Sequence, residues 1–393
     1  MTDQEIRDEV CAWLDANWDR EKQQPKDAAM FGGKGWRERM FDGGWAEVTW
    51  PVEWYGRGYT NAQAKVVDKV FAEVGARSGE FRTNIFANTL LTAGTDELKR
   101  TLLPEFLKTG FFSCLLYSEP GAGSDLAAVR TRADRVEGGW RVTGQKVWTS
   151  GAAQADYGLL LARTDWDKPK HKGLSFFLMP MKQDGVDVRP LHQITDERHF
   201  NEVFIDGAFV PEANLLGPEN EGWKILQTAL AYERLIMGEG VGGRREGTTK
   251  ALDVLAVARE RGALSDPALR QKIAQALAYR QLNDLNLARA KAEMSQGTSS
   301  PIMSLGKLAM SRILHGDAAV MTAILGAESL LNGPDNKLAD DVNHLAFKAY
   351  MTSIGGGSDQ IQRNIISERV LGLPREMEVD RDLPFRESRA VRG

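Results

Sequence analysis

The chain contains 393 residues, of which 42% are hydrophobic and 26% are charged, values that are ordinary for a globular protein. Its 50 basic and 54 acidic residues give a formal net charge of −4, which argues against nucleic-acid binding as the main function. The two cysteines, Cys11 and Cys114, are too few for a disulfide framework, and the five histidines lack the spacing of metal ligands, so we expect no bound metal.

The N-terminal residues are charged and contain no apolar segment of the kind that forms a signal peptide. No apolar run in the sequence reaches the ~18 residues that a membrane span needs. These two observations predict a cytoplasmic protein without a membrane span.

Residues 1–112 show a helical period. The stretch TDQEIRDEVCAWLDANW begins with the capping-box spacing from Thr2 to Glu5 and repeats apolar residues every three or four positions. Two later stretches, at 61–79 and 95–110, have the same period, and each runs to a glycine. These features predict an N-terminal helical domain over residues 1–112.

From residue 113 the pattern changes to short apolar or alternating segments, separated by turns such as EGGW and KQDG. Five or more such segments without intervening helices predict an antiparallel β domain over residues 113–224, built as a sandwich or barrel. The helical period returns after GPENEGWK and continues through most of residues 225–393. The predicted fold is therefore α+β, with an N-terminal helical domain, a middle antiparallel β domain and a C-terminal helical bundle.

Several motifs resemble those of the acyl-CoA dehydrogenase family, in the family's order and over nearly the whole chain. The N-terminal region contains GWAEVTWPVEWYGRGYT, the middle region SEPGAGSD and VWTS, and the C-terminal region QIQRNIISERVLGLPRE. The resemblance implies FAD as the cofactor and an acyl-CoA thioester as the substrate. It also implies that the electrons pass to an electron-transferring flavoprotein.

The small residues of SEPGAGSD allow backbone N–H groups to approach a flat or anionic ligand closely. By resemblance, this region contacts the flavin through Leu115, Tyr117, Ser118, Gly123 and Ser124, and Ser124 also meets the pantetheine arm of the substrate.

The VWTS motif resembles a second flavin-binding segment of the family. The resemblance implies that Trp148 covers the isoalloxazine ring. It also implies that a hydroxyl of the adjacent Thr149 and Ser150 reaches the flavin edge near N5. Without the resemblance, the two motifs would describe a glycine-rich hairpin and a core tryptophan.

Four further cofactor contacts follow from the resemblance. Arg261, in ARERGAL, matches an arginine that binds the FAD diphosphate of a neighbouring subunit, a task that suits a guanidinium; a solvated helix end is the alternative. Gln271, Ser358 and Gln360 match other positions that touch the cofactor. The chain departs from the family after Arg261, where the family's aromatic residue followed by a glycine is lacking, and in ILGAESLLNGPDN, where a glycine pair is largely missing.

The catalytic base of many family members lies just before the QIQ motif, at the position that Gly356 occupies here. Glycine cannot accept a proton. A minority of the family, such as isovaleryl- and long-chain acyl-CoA dehydrogenases, carries the glutamate on an early helix of the C-terminal domain. The YERL element of this chain matches that helix and places Glu233 at the position of the base.

Helical periodicity selects the same residue. On a helical wheel that starts at Leu226, Glu233 lies within about 20° of the apolar stripe, whereas Glu239 lies on the opposite face. A carboxylate on an apolar stripe is costly unless it is paired or functional. We predict that Glu233 is the base, with a buried ion pair as the alternative. Arg234 would orient Glu233 or bind the CoA moiety, and Asp359 is the second candidate for the base.

The leading hypothesis is FAD-dependent dehydrogenation of an acyl-CoA to a 2,3-enoyl-CoA. The glycines at 355–357 favour a bulky, branched or ring-bearing acyl group. We expect a homo-oligomer, either a tetramer or a dimer, or a heterotetramer with a homologous chain, because family flavin sites are completed across subunits. The alternatives are a low-activity subunit of a heteromeric enzyme, a CoA-binding scaffold without flavin chemistry, and an oxidase.

Overall fold

The computed structural model describes residues 1–25, 34–79, 82, 84–239, 252–295, 302 and 305–388, without the side chains of 233–239, 291, 294 and 295. The chain forms two compact units. The first unit consists of Met1–Leu191, Arg198–Tyr232 and Val379–Gly393, and the second consists of His192–Glu197 and Glu233–Glu378.

Helices form the beginning of the first unit. They are α1 (Asp3–Asn17), α2 (Lys34–Asp42), α3 (Asn61–Glu73), α4 (Ile85–Ala93) and α5 (Asp96–Thr109). The predicted capping box is present, since the Thr2 hydroxyl accepts from the Glu5 N–H (3.3 Å) and the Glu5 carboxylate accepts from the Thr2 N–H (2.7 Å). Gly110 ends α5 in a left-handed conformation (φ 62°). The helices predicted at the positions of α1, α3 and α5 are confirmed.

Aromatic side chains connect α4 and α5 to the sheet of the first unit. The ring of Phe86 lies 5.1 Å from that of Phe106 and 5.1 Å from that of Phe111, and Phe111 lies 5.3 Å from Tyr157, all between centroids. The rings are tilted or edge-on, the arrangement that aromatic pairs prefer. Phe86 is only 1% exposed, so this cluster is part of the core.

The strands of the first unit are β1 (Trp18–Asp19), β2 (Gln24–Pro25), β3 (Ser113–Leu116), β4 (Arg132–Val136), β5 (Gly139–Ser150), β6 (Tyr157–Arg163), β7 (Leu174–Pro180), β8 (Val186–Pro190), β9 (Phe200–Pro211) and β10 (Leu215–Leu216). β1 and β2 form a short ladder of their own. The remaining strands form one sheet in the order β10-β7-β6-β4-β5-β9-β8, with β3 beside β6.

The interior strand β6 is buried on both faces, which explains its continuous apolar run. Leu159 and Leu161 lie in the core that includes the N-terminal helices, whereas Leu160 and Ala162 lie in a second core together with Trp140. Alternate residues of a strand point to opposite faces, so one strand serves both cores.

The prediction of a purely antiparallel domain is wrong in one respect. β3 pairs with β6 in parallel, with Ser113 opposite Tyr157 and Leu116 opposite Leu160, and β4 meets β6 at a single parallel pair. A parallel pair needs a long connection, and the β4–β5 hairpin lies between β3 and β6 in the chain. The other pairings of this sheet are antiparallel.

The second unit is helical. Its helices are α7 (Val254–Glu260), α8 (Pro267–Ser295), α9 (Gly306–Leu325), α10 (Lys337–Ile354) and α11 (Asp359–Ile365), and α6 (Gly222–Glu239) runs from the first unit into it. Its core contains residues of α7, α8, α9 and α10, among them Val254, Ile273, Met321 and Val342. The structure thus has a helical N-terminal part, a β-sheet domain and a helical C-terminal part, as predicted.

Among the described residues, one helical stretch, Gly306–Leu330, is long and apolar enough to cross a bilayer by length and composition. It contains Asp317, whose carboxylate is 1% exposed and paired with Arg280 of α8. Met321 and Leu325 of the same stretch lie in the core of the helical unit. Residues of this stretch therefore contribute to the core of the helical unit.

The aromatic cluster provides a test of the first unit's core. We expect Phe86→Ala to lower the free energy of unfolding by about 3–5 kcal/mol, because it removes a buried ring and leaves a cavity. Phe112→Ala, at a ring that is 50% exposed, should cost less than about 1 kcal/mol. Urea unfolding followed by circular dichroism measures both, and equal losses would contradict the assignment of Phe86 to the core.

Candidate flavin and thioester site

A buried ion pair fixes the start of the glycine-rich loop that follows β3. Glu119 is 9% exposed, and its carboxylate accepts hydrogen bonds from the Lys146 ammonium (2.9 Å) and from the backbone N–H groups of Arg130 (2.7 Å) and Thr131 (2.8 Å). These bonds join the two ends of the loop, because Glu119 stands before the glycines and Arg130 and Thr131 stand after them. The loop is therefore closed at its base.

Lys146 of β5 is fully buried, and its ammonium is satisfied by three oxygens. Besides Glu119 it donates to the carbonyls of Tyr117 (3.0 Å) and Leu161 (2.8 Å). The Ser118 carbonyl also accepts from the Val147 N–H (2.9 Å). The loop of SEPGAGSD is thereby held against the strand that carries VWTS.

Burial and the neighbouring groups shift the pKa values of both members of the pair. Burial acts to raise the pKa of Glu119, but the charge of Lys146 and the hydrogen bonds from Thr131 and Arg130 outweigh it, so the pKa lies below its usual value. Burial lowers the pKa of Lys146, and Glu119 opposes this shift.

Trp148 is presented to solvent by an irregularity in the sheet. The register of β5 against β9 shifts between Lys146 and Thr149, and Trp148 adopts a left-handed backbone (φ 60°), which is uncommon for a bulky residue. Its indole is 60% exposed and lies edge-on to Phe200, with centroids 6.0 Å apart. A strained backbone that exposes a tryptophan is typical of a binding site.

The neighbouring Thr149 contributes a buried hydroxyl. Asn201 donates to the Thr149 carbonyl (2.9 Å) and fixes this part of the strand. The Thr149 Oγ1 is buried and has no hydrogen-bond partner within the described residues. Because a buried hydroxyl normally finds a partner, this atom is available to a ligand.

The glycines of the loop border open space. A side chain at Gly121 or Gly123 would meet no atom of the described protein within 4 Å. Beside Gly121 lies a pocket of about 330 Å³, which is lined by Glu119, Pro120, Gly121, Ala128, Arg130, Thr131, Gly144 and Gln145. The loop thus offers a bare backbone surface to a ligand.

The structure brings together the site residues predicted in the first unit. Leu115 lies in β3, while Tyr117 and Ser118 begin the loop that leads to the exposed Gly123 and Ser124. The hydrogen bond from Val147 to Ser118 places this loop beside the strand of Trp148, Thr149 and Ser150.

Sequence reasoning missed the charged residues that support this site. Glu119, Lys146 and Arg163 are buried, and Arg163 is 0% exposed. Lys146 is in phase with the buried Trp140 and Val142 along β5. The alternation of side chains along this strand could therefore have predicted a buried lysine.

Arg261, in the second unit, is engaged by a carboxylate of its own chain. Its guanidinium donates to both oxygens of Glu328, at 2.7 and 3.0 Å. Glu328 belongs to the ILGAESLLNGPDN segment. The pairing therefore competes with the predicted binding of an FAD diphosphate by Arg261.

The other predicted residues near the C-terminus have local roles. The Ser358 hydroxyl caps α11 by accepting from the Ile361 N–H (3.3 Å). Asp359 accepts from the Ser311 hydroxyl (2.8 Å) and lies 3.8 Å from the Lys307 ammonium. Gln360 and Gln271 are exposed. Asp359, the second candidate for the base, is thus held by an alcohol and a cation.

The vacant position of the usual base has a distinctive backbone. Gly356 and Gly357 have φ values of 64° and 86°, which L-residues rarely adopt. The Gln362 amide donates to the Gly356 carbonyl (3.3 Å) and fixes this turn. The side chains of Glu233 and Arg234, on α6, lie outside the described residues.

Family models match three consecutive parts of the chain. The acyl-CoA dehydrogenase N-terminal domain matches residues 2–109, the middle domain residues 114–207, and the C-terminal domain residues 220–371. The chain therefore belongs to the acyl-CoA dehydrogenase family and is an oxidoreductase of that class.

Two curated relatives come from Mycobacterium tuberculosis. The acyl-CoA dehydrogenase IpdE1 is 33% identical over 95% of this chain and 98% of its own length. The acyl-CoA dehydrogenase FadE34 is 36% identical over 86% of this chain, but the match spans only 46% of FadE34. FadE34 therefore has more than half of its length outside the part that this chain matches.

Two solved structures share the fold over most of the chain. A structure titled "Tcur3481-Tcur3483 steroid ACAD" is 27% identical with a TM-score of 0.66, and covers 87% of this chain and 89% of its own. The ChsE4-ChsE5 complex from Mycobacterium tuberculosis is 26% identical with a TM-score of 0.64, and covers 95% of this chain and 98% of its own.

The buried pair supports a stability prediction. We expect Lys146→Met to lower the free energy of unfolding by about 3–5 kcal/mol, because it leaves the Glu119 carboxylate buried without its cation. The matched control is Lys182→Met, which breaks an ion pair to Asp156 at a lysine that is 72% exposed and should cost less than about 1 kcal/mol. Denaturant unfolding measures both variants, and similar losses would contradict a structural role for the pair.

The pair also predicts a pH dependence. Because the pKa of Glu119 is lower in the folded protein, its contribution to stability is present above its unfolded pKa and is lost as pH falls through its folded pKa. The difference in unfolding free energy between wild type and Glu119→Gln should therefore shrink below about pH 4. Glu137→Gln, in an exposed turn, should give a small difference at every pH. A wild-type advantage that grows on acidification would refute this prediction.

Proposed function

We propose that this chain is an FAD-dependent acyl-CoA dehydrogenase that converts an acyl-CoA to its 2,3-enoyl-CoA. Glu233 would take the α-proton, bound FAD would supply the acceptor for the β-hydride, and an electron-transferring flavoprotein would be the final acceptor of the electrons. The observation that carries the proposal is the exposed Trp148, which is held by a bulge beside a glycine-rich loop that the Glu119–Lys146 pair fixes.

The residues of the first unit fit a flavin. Trp148 offers an exposed aromatic face, Thr149 a buried hydroxyl without a partner among the described residues, and Gly121 and Gly123 a backbone that a flat ring can approach. FAD, when bound, supplies the two-electron acceptor at its N5 atom. The chain's own residues hold the ring, exclude water from one face and support the thioester beside Ser124.

The assignment of the base to Glu233 is supported by the lack of a carboxylate at the usual position of the base. Gly356 has no side chain, and a glutamate there would need a left-handed backbone (φ 64°). Asp359 is held by Ser311 and Lys307. On the helical wheel of the sequence, Glu233 falls within the apolar stripe, and desolvation at such a position would raise the pKa of a carboxylate towards working pH.

The substrate class that we propose is a bulky, ring-bearing acyl-CoA. Glycines at 355–357 leave space where other family members carry a side chain. The similarity to a structure titled a steroid ACAD supports the same class. We also propose that the protein acts in the cytoplasm.

A second candidate is a subunit of a heteromeric dehydrogenase. One observation favours it: Glu328 engages both terminal nitrogens of the Arg261 guanidinium that would otherwise hold a diphosphate. One similar structure is a complex of two named proteins. In this case a homologous chain would complete the flavin site, and the purified chain alone would carry little FAD.

The decisive experiment is anaerobic reduction of the purified protein by a panel of straight-chain, branched and steroid-like acyl-CoAs. We expect the wild type to be yellow and to bleach with one acyl class. Glu233→Gln should retain FAD but bleach about 10²–10⁴-fold more slowly, because it lacks the base. Glu239→Gln, on the opposite face of the helical wheel, is the matched control and should bleach at the wild-type rate.

The outcomes separate the candidates. Normal bleaching of Glu233→Gln would show that Glu233 is structural, and Asp359→Asn would then be tested. A wild type with about half an FAD per chain, or with none until a homologous chain is added, would support the heteromer. A wild type that binds no FAD with or without a homologous chain would refute the flavin proposal.

A further inference from the structure

A second buried cation supports the far side of the glycine-rich loop. Arg163, at the end of β6, is completely buried, and its described hydrogen bonds go to backbone carbonyls. Its guanidinium donates to Ala127 (2.7 Å), Val129 (3.2 Å) and Lys170 (3.2 Å). Burial lowers the pKa of Arg163 to about 10, so it keeps its charge at neutral pH.

Two of the carbonyls that Arg163 holds, those of Ala127 and Val129, belong to the segment directly after the glycine-rich loop. Ala127 and Val129 lie between Asp125, the last residue of SEPGAGSD, and Thr131, which donates to Glu119. The Lys170 ammonium adds a contact to the Asp125 carboxylate at 3.1 Å. The loop is thus held at its base by Glu119 and along its returning arm by Arg163 and Lys170.

The guanidinium of Arg163 is covered by a residue from the other end of the chain. The Phe385 ring lies 3.4 Å from the guanidinium carbon, measured to the ring centroid, and Phe385 is 0% exposed. A cation over an aromatic face is stabilised most when water is excluded. The ring therefore contributes both attraction and exclusion of water.

The C-terminal segment that carries Phe385 is docked by specific backbone bonds. The Phe385 N–H donates to the Lys168 carbonyl (3.0 Å), and the Arg386 N–H donates to the Trp166 carbonyl (3.1 Å). Arg386 also pairs with Asp167 at the surface (2.7 Å). The segment thus attaches to the connection between β6 and β7.

We propose that Phe385 is a positioning residue for the flavin loop. By covering Arg163, it preserves the hydrogen bonds from the guanidinium to Ala127 and Val129, and so keeps Gly121–Ser124 in the shape that binds a ligand. Without the ring, water would reach the guanidinium and compete for those donors. The inference rests on the proposed function only in naming FAD as the ligand of the loop.

The test compares full-length wild type with Phe385→Leu, which keeps an apolar side chain but removes the aromatic face. Hydrogen exchange of the protein without FAD is followed in peptides that cover 119–131 and, as a reference, in α1 and β7. We expect at least tenfold faster exchange in 119–131 and unchanged exchange in the reference peptides. Arg386→Ala, which removes the surface pair of the same segment, should stay within twofold of wild type everywhere.

A second readout follows FAD itself. Titration with FAD alone, monitored by flavin fluorescence and by the shape of the visible band, should give at least a tenfold higher Kd and a less structured band for Phe385→Leu, but not for Arg386→Ala. If Phe385→Leu does not fold, Phe385→Met replaces it under the same thresholds.

Two results would overturn the proposal. One is unchanged exchange of 119–131, and the other is an equal acceleration in all peptides, which would mark Phe385 as a general core residue. If the wild type binds no FAD, the flavin proposal fails while the exchange data still decide whether Phe385 acts on the loop.

Discussion

The site of the first unit depends on the buried pair of Glu119 and Lys146. An ammonium without solvent must be satisfied by its neighbours, and Lys146 meets this demand by contacting Glu119 and two carbonyls, one before the loop and one on β6. Satisfying the two charges therefore determines the path of the chain. The glycines of the loop can remain bare because the side chains that hold the loop, Glu119 and Asp125, stand at its two ends.

The same constraint gives Trp148 its exposed position. Lys146 points into the core two residues earlier, and Thr149 is buried one residue later. Between them the strand loses its register with β9, and Trp148 adopts a left-handed backbone that exposes the indole. The strain at this residue is maintained by the burial on both sides, which is the usual condition for a strained backbone at a binding site.

Two departures from the family pattern in the second unit have local physical explanations. Glycines at 356 and 357 form a left-handed turn that Gln362 holds through a carbonyl, so this turn suits glycine better than glutamate. Arg261 pairs with Glu328, which lies in the ILGAESLLNGPDN segment. This ion pair therefore joins the altered arginine motif to the segment in which the glycine pair is largely missing. The chain retains the family fold despite both departures.

The sequence by itself determined the class of the fold and the position of its main elements. Capping residues and helical period located α1, α3 and α5, and short alternating segments located the sheet, because these signals are local. Motif order was sufficient to indicate the family. The candidate residues of the loop and of VWTS were also found from the sequence, since each motif is continuous in the chain.

The tertiary structure alone decided which partners the buried charges contact. Glu119 and Lys146 are 27 residues apart, and Arg163 and Phe385 lie in different parts of the chain, so no periodicity connects them. The parallel pairing of β3 with β6 was hidden for the same reason, because it joins strands that a hairpin separates. Local patterns specify elements, whereas the contacts that shape this site form between residues distant in the sequence.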